Sequence, residues 1–327
     1  MSIAVTGSIA TDYLMTFPGT FTEQFLADEL DHVSLSFLID RMDIHSGGVA
    51  ANICFGLAGL GLRPVLVGAV GKDYAEERAR LEALGVDTES IYVSEDQHTS
   101  RFLCTTDLSQ NQIASFYAGA MSEARNIELA ACAGRVGELD PVLISPNDPE
   151  AMLRHTQECR ERGYRFLADP GQQVTRMEGP EIRELVDGAA FLFTNEYERS
   201  LLLKKTGWSS QDVLDRVDVW LTTLGPGGAR WESNGADPVT VPSVPAKREV
   251  DPTGIGDAFR VGFVAGLYWK QPTERAMQLG CMLATTVLEA PGPQEYEIDP
   301  EALARRIGDA YGDEAAADIE PFLRADG

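Results

Sequence analysis

Short apolar runs that close on a small or polar residue, each followed by a stretch of helical period, recur along most of this 327-residue chain. Ile3-Ala4-Val5-Thr6-Gly7, Val65 to Val70, Val142 to Ser145, Phe166 to Asp169, Phe191 to Thr194 and Val219 to Thr223 are such runs. They lack the polar alternation of a strand with one wet face, so they read as parallel strands covered on both sides. The stretches between them predict helices. One spans Gly48 to Leu60 and ends at Gly61; another spans Glu76 to Leu84 and stops at Gly85; a third is opened by Pro149 and closed by Gly163. Strands alternating with helices predict an α/β fold with helices on both faces of a mostly parallel sheet.

Two segments break this rhythm. Tyr13 to Ile44 has little helical period, and its apolar residues come in short runs. Arg101 to Thr106 and Gln112 to Tyr117 flank a five-residue polar connection, the pattern of a β-hairpin. Together they predict a small β-rich appendage on the α/β unit. The acidic, Ala-rich end from Asp309 reads as a terminal helix or a frayed tail, and no repeat of 20–50 residues is present.

Charge narrows the partners. The chain has 27 basic and 51 acidic residues, a formal net of −24, which repels phosphate backbones and anionic lipid. Nucleic acid and membrane surfaces are therefore excluded as expected partners. A nucleotide can still bind where helix N-termini, Mg²⁺ or a few placed side chains offset the field. The five cysteines (54, 104, 132, 159, 281) are scattered and odd in number, and the four histidines form no Cys/His cluster. Reduced thiols are expected, with neither a disulfide framework nor a structural zinc. The start lacks a basic n-region, and no apolar run approaches the ~18 residues of a membrane span, so a cytoplasmic location is expected.

Two common phosphate loops are missing. Gly68-Ala69-Val70-Gly71-Lys72-Asp73 has the wrong spacing for a Walker loop, with Asp where a hydroxyl should meet Mg²⁺. Gly56-Leu57-Ala58-Gly59-Leu60-Gly61 is no dinucleotide fingerprint, and it sits at a helix end, not a helix start. These absences weigh against a P-loop NTPase and a dehydrogenase.

The strongest positive signal is Asp251-Pro252-Thr253-Gly254-Ile255-Gly256-Asp257, placed just before an apolar helical run. Glycines there let backbone N–H groups converge on an anion at a helix N-terminus. Asp257 in the first turn fits a base that takes a proton from an attacking hydroxyl; an acid serving only the helix dipole is the plain alternative. Gly47-Gly48-Val49-Ala50-Ala51-Asn52 permits close backbone approach to a ligand, with Asn52 in reach of sugar hydroxyls, or is simply a strand-to-helix turn. Asn195-Glu196-Tyr197-Glu198 follows a strand at the sheet edge where ligands bind. Glu198 there suits Mg²⁺ through water, while Asn195 also suits an N-cap. Thr223-Leu224-Gly225-Pro226-Gly227-Gly228 follows another strand and is either a nucleotide wrap or a glycine turn.

Gly7-Ser8…Asp12, GGxAxN, NxxE, TxGxxG and DxTGxGD, in this order over nearly the whole chain, resemble the ribokinase-like (PfkB) carbohydrate kinases. The stretches Thr6 to Asp12, Gln112 to Tyr117 and Gly119 to Asn126 are similar to the bacterial adenosine kinases of that family. The resemblance implies a ribokinase-like three-layer α/β/α fold with a mostly parallel central sheet and a small β-sheet lid. The large domain would take residues 1–9, 46–98 and 120–327, and the lid 10–45 and 99–119. It implies an ATP-dependent adenosine kinase of purine salvage, using Mg²⁺ and a monovalent cation such as K⁺. Another nucleoside or a sugar as acceptor, and a non-catalytic nucleoside-binding protein, are the alternatives.

By the same resemblance Asp257 is the catalytic base, and the Gly254, Ile255 and Gly256 amides form the anion hole. Asp12, Gly48 and Asn52 grip the ribose. Ser8, Ser36, Phe102, Phe116, Gln172 and Gln173 surround the nucleoside, the two rings stacking the base. Asn195, Thr223, Gly225, Gly228 and Gly256 serve the nucleotide, Glu198 serves Mg²⁺, and Asp251 serves a monovalent-cation loop. The motif departs from the family pattern at Pro252, which lacks an N–H donor, and at the bulkier Ile255. Exposed lid edges lead to the expectation of a homodimer paired through the lid.

Overall fold

The computed structural model describes residues 1–24 and 35–323. Strand β1 (Ser2–Thr6) enters a large sheet, and the chain then leaves it for β2 (Ala10–Thr16) and β3 (Arg41–Gly47) of a smaller one. Helix α1 (Val49–Gly59) leads back to β4 (Val65–Gly71) of the large sheet, and α2 (Ala75–Ala83) to its edge strand β5 (Ile91–Ser94). Strands β6 (Ser100–Thr106) and β7 (Gln112–Tyr117) complete the small sheet. From α3 (Leu129–Val136) strand and helix alternate: β8 (Leu139–Ile144), α4 (Pro149–Arg162), β9 (Phe166–Ala168), α5 (Gly179–Val186), β10 (Phe191–Asn195), α6 (Glu196–Thr206), α7 (Ser210–Leu214) and β11 (Val219–Thr223). A hairpin of β12 (Ala229–Glu232) and β13 (Val239–Val241) precedes four helices, α8 (Ile255–Tyr268), α9 (Thr273–Leu288), α10 (Pro300–Tyr311) and α11 (Asp313–Leu323).

The large sheet runs β13-β12-β11-β10-β9-β8-β1-β4-β5, and every pairing is parallel except β11–β12 and β12–β13. The antiparallel edge pair is the feature that the alternation of strands and helices did not predict. Alternate residues of each strand feed opposite layers, as the two-residue period of a strand requires. Phe191, Phe193 and Leu221 pack with α1, α8 and α9, whereas Leu192 and Trp220 pack under α4 to α7. Phe263 of α8 is fully buried and meets Phe191 and Phe193 edge-on at 5.1 and 5.4 Å. Local chemistry matches the predicted helix punctuation. Asp148 caps α4 by accepting from the Ala151 N–H, Pro149 takes its first position, and Gly163 ends it at φ +70°.

The tail beyond Asp309 is helical through Leu323, with Ala315 and Ile319 buried; residues 324–327 lie outside the described residues. All five cysteines are buried and free. Among the described residues no helix is long and apolar enough to cross a membrane.

The small sheet has the order β3-β2-β6-β7. Its register aligns His45, Asp12, Phe102 and Phe116 in one row across all four strands. Directly paired residues share a face, so an acid and two aromatic rings are presented together. Residues 25–34 of the expected lid segment 10–45 lie outside the described residues.

Candidate active site

A cavity of about 540 Å³ lies where this row faces the C-terminal end of the large sheet and the start of α8. Its walls bring together Ser8, Asp12, Gly48, Asn52, Phe102, Phe116, Gln172, Gln173, Gly254, Ile255, Gly256 and Asp257, residues drawn from both halves of the sequence.

The floor is the N-terminus of α8. Gly254 sits at φ +80° as its N-cap, a conformation that favours glycine, and no side chain caps the helix. The Ile255 N–H makes a long bond to the Pro252 carbonyl at 3.5 Å, and no side chain competes with an anion for the backbone donors of the first turn. Asp257 stands in that same turn. Burial pushes its carboxyl up to about 7, against the pull of the Asn52 amide and the Arg260 cation; Asp169 and Asp12 push it further up. A base poised near neutrality is suited to accept a proton from an alcohol. Asn52 is 6% exposed and donates from Nδ2 to Asp257 Oδ2 at 2.7 Å.

Gly48 (φ +90°) begins α1 where a Cβ would collide with the Ser8 carbonyl and the Ala10 N–H. Ser8 compensates for the missing cap: its Oγ accepts from the Val49 N–H at 3.1 Å and its carbonyl from the Ala50 N–H. Asp12 is raised to about 6 by burial, with His45 lowering it and Asp251 raising it. Phe116 is 48% exposed, so its ring retains free surface for a ligand. Gln173 is nearly buried, and its Oε1 has no hydrogen-bond partner. A buried acceptor without a donor is costly, and here it lies in the wall of a cavity.

Other expected site residues lie elsewhere. Ser36 is exposed to solvent in an irregular stretch ahead of β3 and does not line the cavity. Asn195, Thr223, Gly225 and Gly228 sit farther along the sheet, at the C-terminal ends of β10 and β11. Asn195 and Glu198 form a capping box, each side chain accepting from the other's backbone N–H at 2.8 Å. Burial raises the Glu198 carboxyl, helped by the charge of Asp169. One oxygen accepts from Asn195, so the carboxylate retains acceptor capacity. A single carboxylate suits Mg²⁺ held chiefly by water and phosphate oxygens; the described residues contain no group of three metal-ligating side chains. Asp251 bends back to accept from the Thr253 N–H at 2.8 Å.

The structure also reveals residues that the motifs did not. Arg260 on α8 is 7% exposed, donates to the Gly256 carbonyl at 2.9 Å and forms a bidentate pair with Asp169. It thereby ties the first turn of α8 to the end of β9. Burial opposes its charge, and the Asp169 carboxylate more than offsets that. An arginine inside the apolar period of residues 258–267 was the available signal. Met121, Thr175 and Arg176 also line the cavity, and no sequence pattern marked them.

The model of the pfkB family of carbohydrate kinases matches residues 10–299. The chain belongs to this family. Among curated relatives, the nucleoside kinase of Methanocaldococcus jannaschii is 27% identical over 304 residues, covering 89% of this chain and 92% of the relative. That of Methanothermobacter thermautotrophicus is 29% identical, covering 87% and 92%. Among solved structures, the Burkholderia thailandensis nucleoside kinase in complex with inosine superposes with a TM-score of 0.84 at 32% identity, over 95% of this chain and 98% of that one. The three-layer body with a separate small sheet is thus the ribokinase-like fold of the family.

Proposed function

We propose that this pfkB-family chain is an ATP-dependent adenosine kinase, moving the γ-phosphate of ATP to the 5′-hydroxyl of adenosine to give AMP and ADP. The carrying observation is the confrontation of Asp257 and the uncapped α8 terminus with the Asp12–Phe102–Phe116 row across one cavity. A nucleoside has the matching three parts: a flat base for the rings, sugar hydroxyls for Asp12 and Asn52, and a primary alcohol for the base. The relatives named nucleoside kinase support the acceptor class. The unpartnered Gln173 acceptor favours a base that offers a donor, as the exocyclic amine of adenine and the N1–H of hypoxanthine both do.

In the reaction the 5′-oxygen attacks the γ-phosphorus as the bond to the β,γ-bridging oxygen breaks, and ADP departs. Asp257 takes the hydroxyl proton. The Gly254, Ile255 and Gly256 amides meet the equatorial oxygens, supplying stabilisation without rearrangement. Asn195, Thr223, Gly225 and Gly228 hold the nucleotide. Glu198 would hold Mg²⁺, whose charge would offset that of the phosphates, and Asp251 would belong to a loop for a monovalent cation. The lid, built on the four-stranded sheet of β3, β2, β6 and β7, closes over the nucleoside and excludes water from the phosphoryl group. The product returns a free purine nucleoside to the nucleotide pool.

The lid also supports a homodimer. Residues one step from the inward row point outward, and they include Tyr13, Met15, Met42, Ile44, Leu103 and Ile113, with Met42 and Ile44 about half exposed. A second lid would cover this face. The test of the function is a coupled assay of nucleosides and sugars with Mg·ATP. Adenosine should have the highest kcat/KM; a preference for ribose or fructose would overturn the reading, and equal use of all nucleosides would broaden it.

A further inference from the structure

Both ends of the Asn52 amide are engaged before any substrate arrives. Ionised, as a base must be before it takes a proton, the Asp257 carboxylate only accepts, and the donor to its Oδ2 is then Nδ2. Asn52 Oδ1 then needs a donor, and Gln294 Nε2 supplies one at 2.9 Å. Gln294, 6% exposed, is left with Oε1 as its free end, and this accepts from the Arg80 guanidinium. Arg80 is fixed in turn by Glu77, to which its Nε donates at 2.6 Å, and by the Phe55 ring 5.4 Å away. With Asp257 ionised, the row therefore begins at a group that can only donate and ends at one that can only accept. Neither amide can rotate without facing oxygen to oxygen and nitrogen to nitrogen at two junctions.

We propose that Gln294 and Arg80 are positioning residues for the phosphoryl transfer: the ordered row Arg80–Gln294–Asn52 fixes the Asn52 amide with its donor end on Asp257. The proposal rests on Asp257 acting as base. No motif contains Gln294, which follows α9 and reaches α1 only in the folded chain, and Arg80 lies on α2 outside the cavity walls.

The consequence is electrostatic. Charged and titratable groups facing Asp257 are Asp12 from β2, Asp169 after β9, Arg260 on its own helix and Tyr296 after α9. Among these neighbours, Asn52 contributes the direct hydrogen bond that favours the ionised carboxyl. Reversing its amide replaces a donor by an oxygen and moves ionisation of the base to higher pH. The second Nδ2 hydrogen of Asn52 stays available to a sugar hydroxyl, so the two roles are compatible.

The test is the pH dependence of kcat in Gln294→Glu, which keeps shape and accepts from Arg80 but cannot donate to Asn52. The acid limb should move up by about one pH unit, so that kcat at pH 6 falls about tenfold while kcat at pH 9 and the nucleoside KM stay within about twofold. Arg80→Met should move it the same way by less, and Arg80→Lys should restore it. Arg80→Met also carries the test if Gln294→Glu fails to show a cooperative melt. A pH-independent loss of kcat, an unmoved limb or a rise in KM alone would overturn the proposal. Asp257→Asn in the same assay separates the two claims. If it is inactive while both limbs stay put, only the row fails; if it turns over near normally, the base assignment fails first.

Discussion

The proposed active site has a nucleoside half and a nucleotide half, and the two are built in different ways. The nucleoside half is a long-range assembly, in which Asp12, Asn52, Phe102, Gln173 and Asp257 converge from segments far apart in the chain on one cavity. Its carboxyls are raised by burial, to about 6 for Asp12 and about 7 for Asp257. The nucleotide half is made of local turns. Asn195 and Glu198 satisfy each other within one helical turn, and Gly225 to Gly227 form a short exposed turn after β11. In the proposed assignment the contrast places selectivity and chemistry on one side: the costly, preorganised groups would surround the acceptor, while the phosphate donor would meet an open edge suited to a mostly solvated metal nucleotide.

Substitutions on the nucleoside side should therefore separate chemistry from ATP binding. The largest effect belongs to Asp257→Asn, which should lower kcat by about 10²- to 10⁴-fold while calorimetry still detects the nucleoside. Phe116→Ala comes next: it should cost about 1–3 kcal/mol of adenosine affinity, read from KM or calorimetry, with the ATP KM unchanged. Equal losses for adenosine and free ribose would mean that the ring is only lid packing. On the other side Glu198→Gln should raise the Mg²⁺ concentration needed for half-maximal rate by about tenfold and leave the adenosine KM alone. A reversed pattern would erase the distinction between the halves.

The smallest expected effect is on stability. Asp257 keeps a proton in the folded state that the unfolded chain releases at ordinary carboxylate pH. Wild-type stability therefore falls as pH rises from that range through about 7. Asp257→Asn should raise the melting temperature at pH 8 and lose this advantage near pH 4; a pH-independent difference would show that the carboxyl is not protonated in the fold.

How much of this was legible follows from the range of the interactions. Pro149 and Gly163 mark α4 because capping depends on a few neighbouring residues, and the hairpin of β6 and β7 shows in its polar connection. The turn that opens α8 is equally local, so Gly254 and Asp257 stand out in the chain. The β12–β13 edge is short and leaves little pattern. Gln294 and Asp169 are ordinary polar residues until folding brings Asn52 and Arg260 to them. Asn195 and Glu198 carry two readings at once, since a capping box and a metal-facing acid use the same residues and one carboxylate has oxygens for both.

The central claim, that Asp257 removes the proton from the acceptor alcohol beside the α8 amides, is tested most directly by a crystal structure with adenosine and a non-hydrolysable ATP analogue. The account predicts a carboxyl oxygen within about 3 Å of the 5′-oxygen, and the terminal phosphoryl group on the backbone N–H groups of residues 254–256. An Asp257 side chain turned away, farther from the 5′-oxygen than a single bridging water can span, would contradict it.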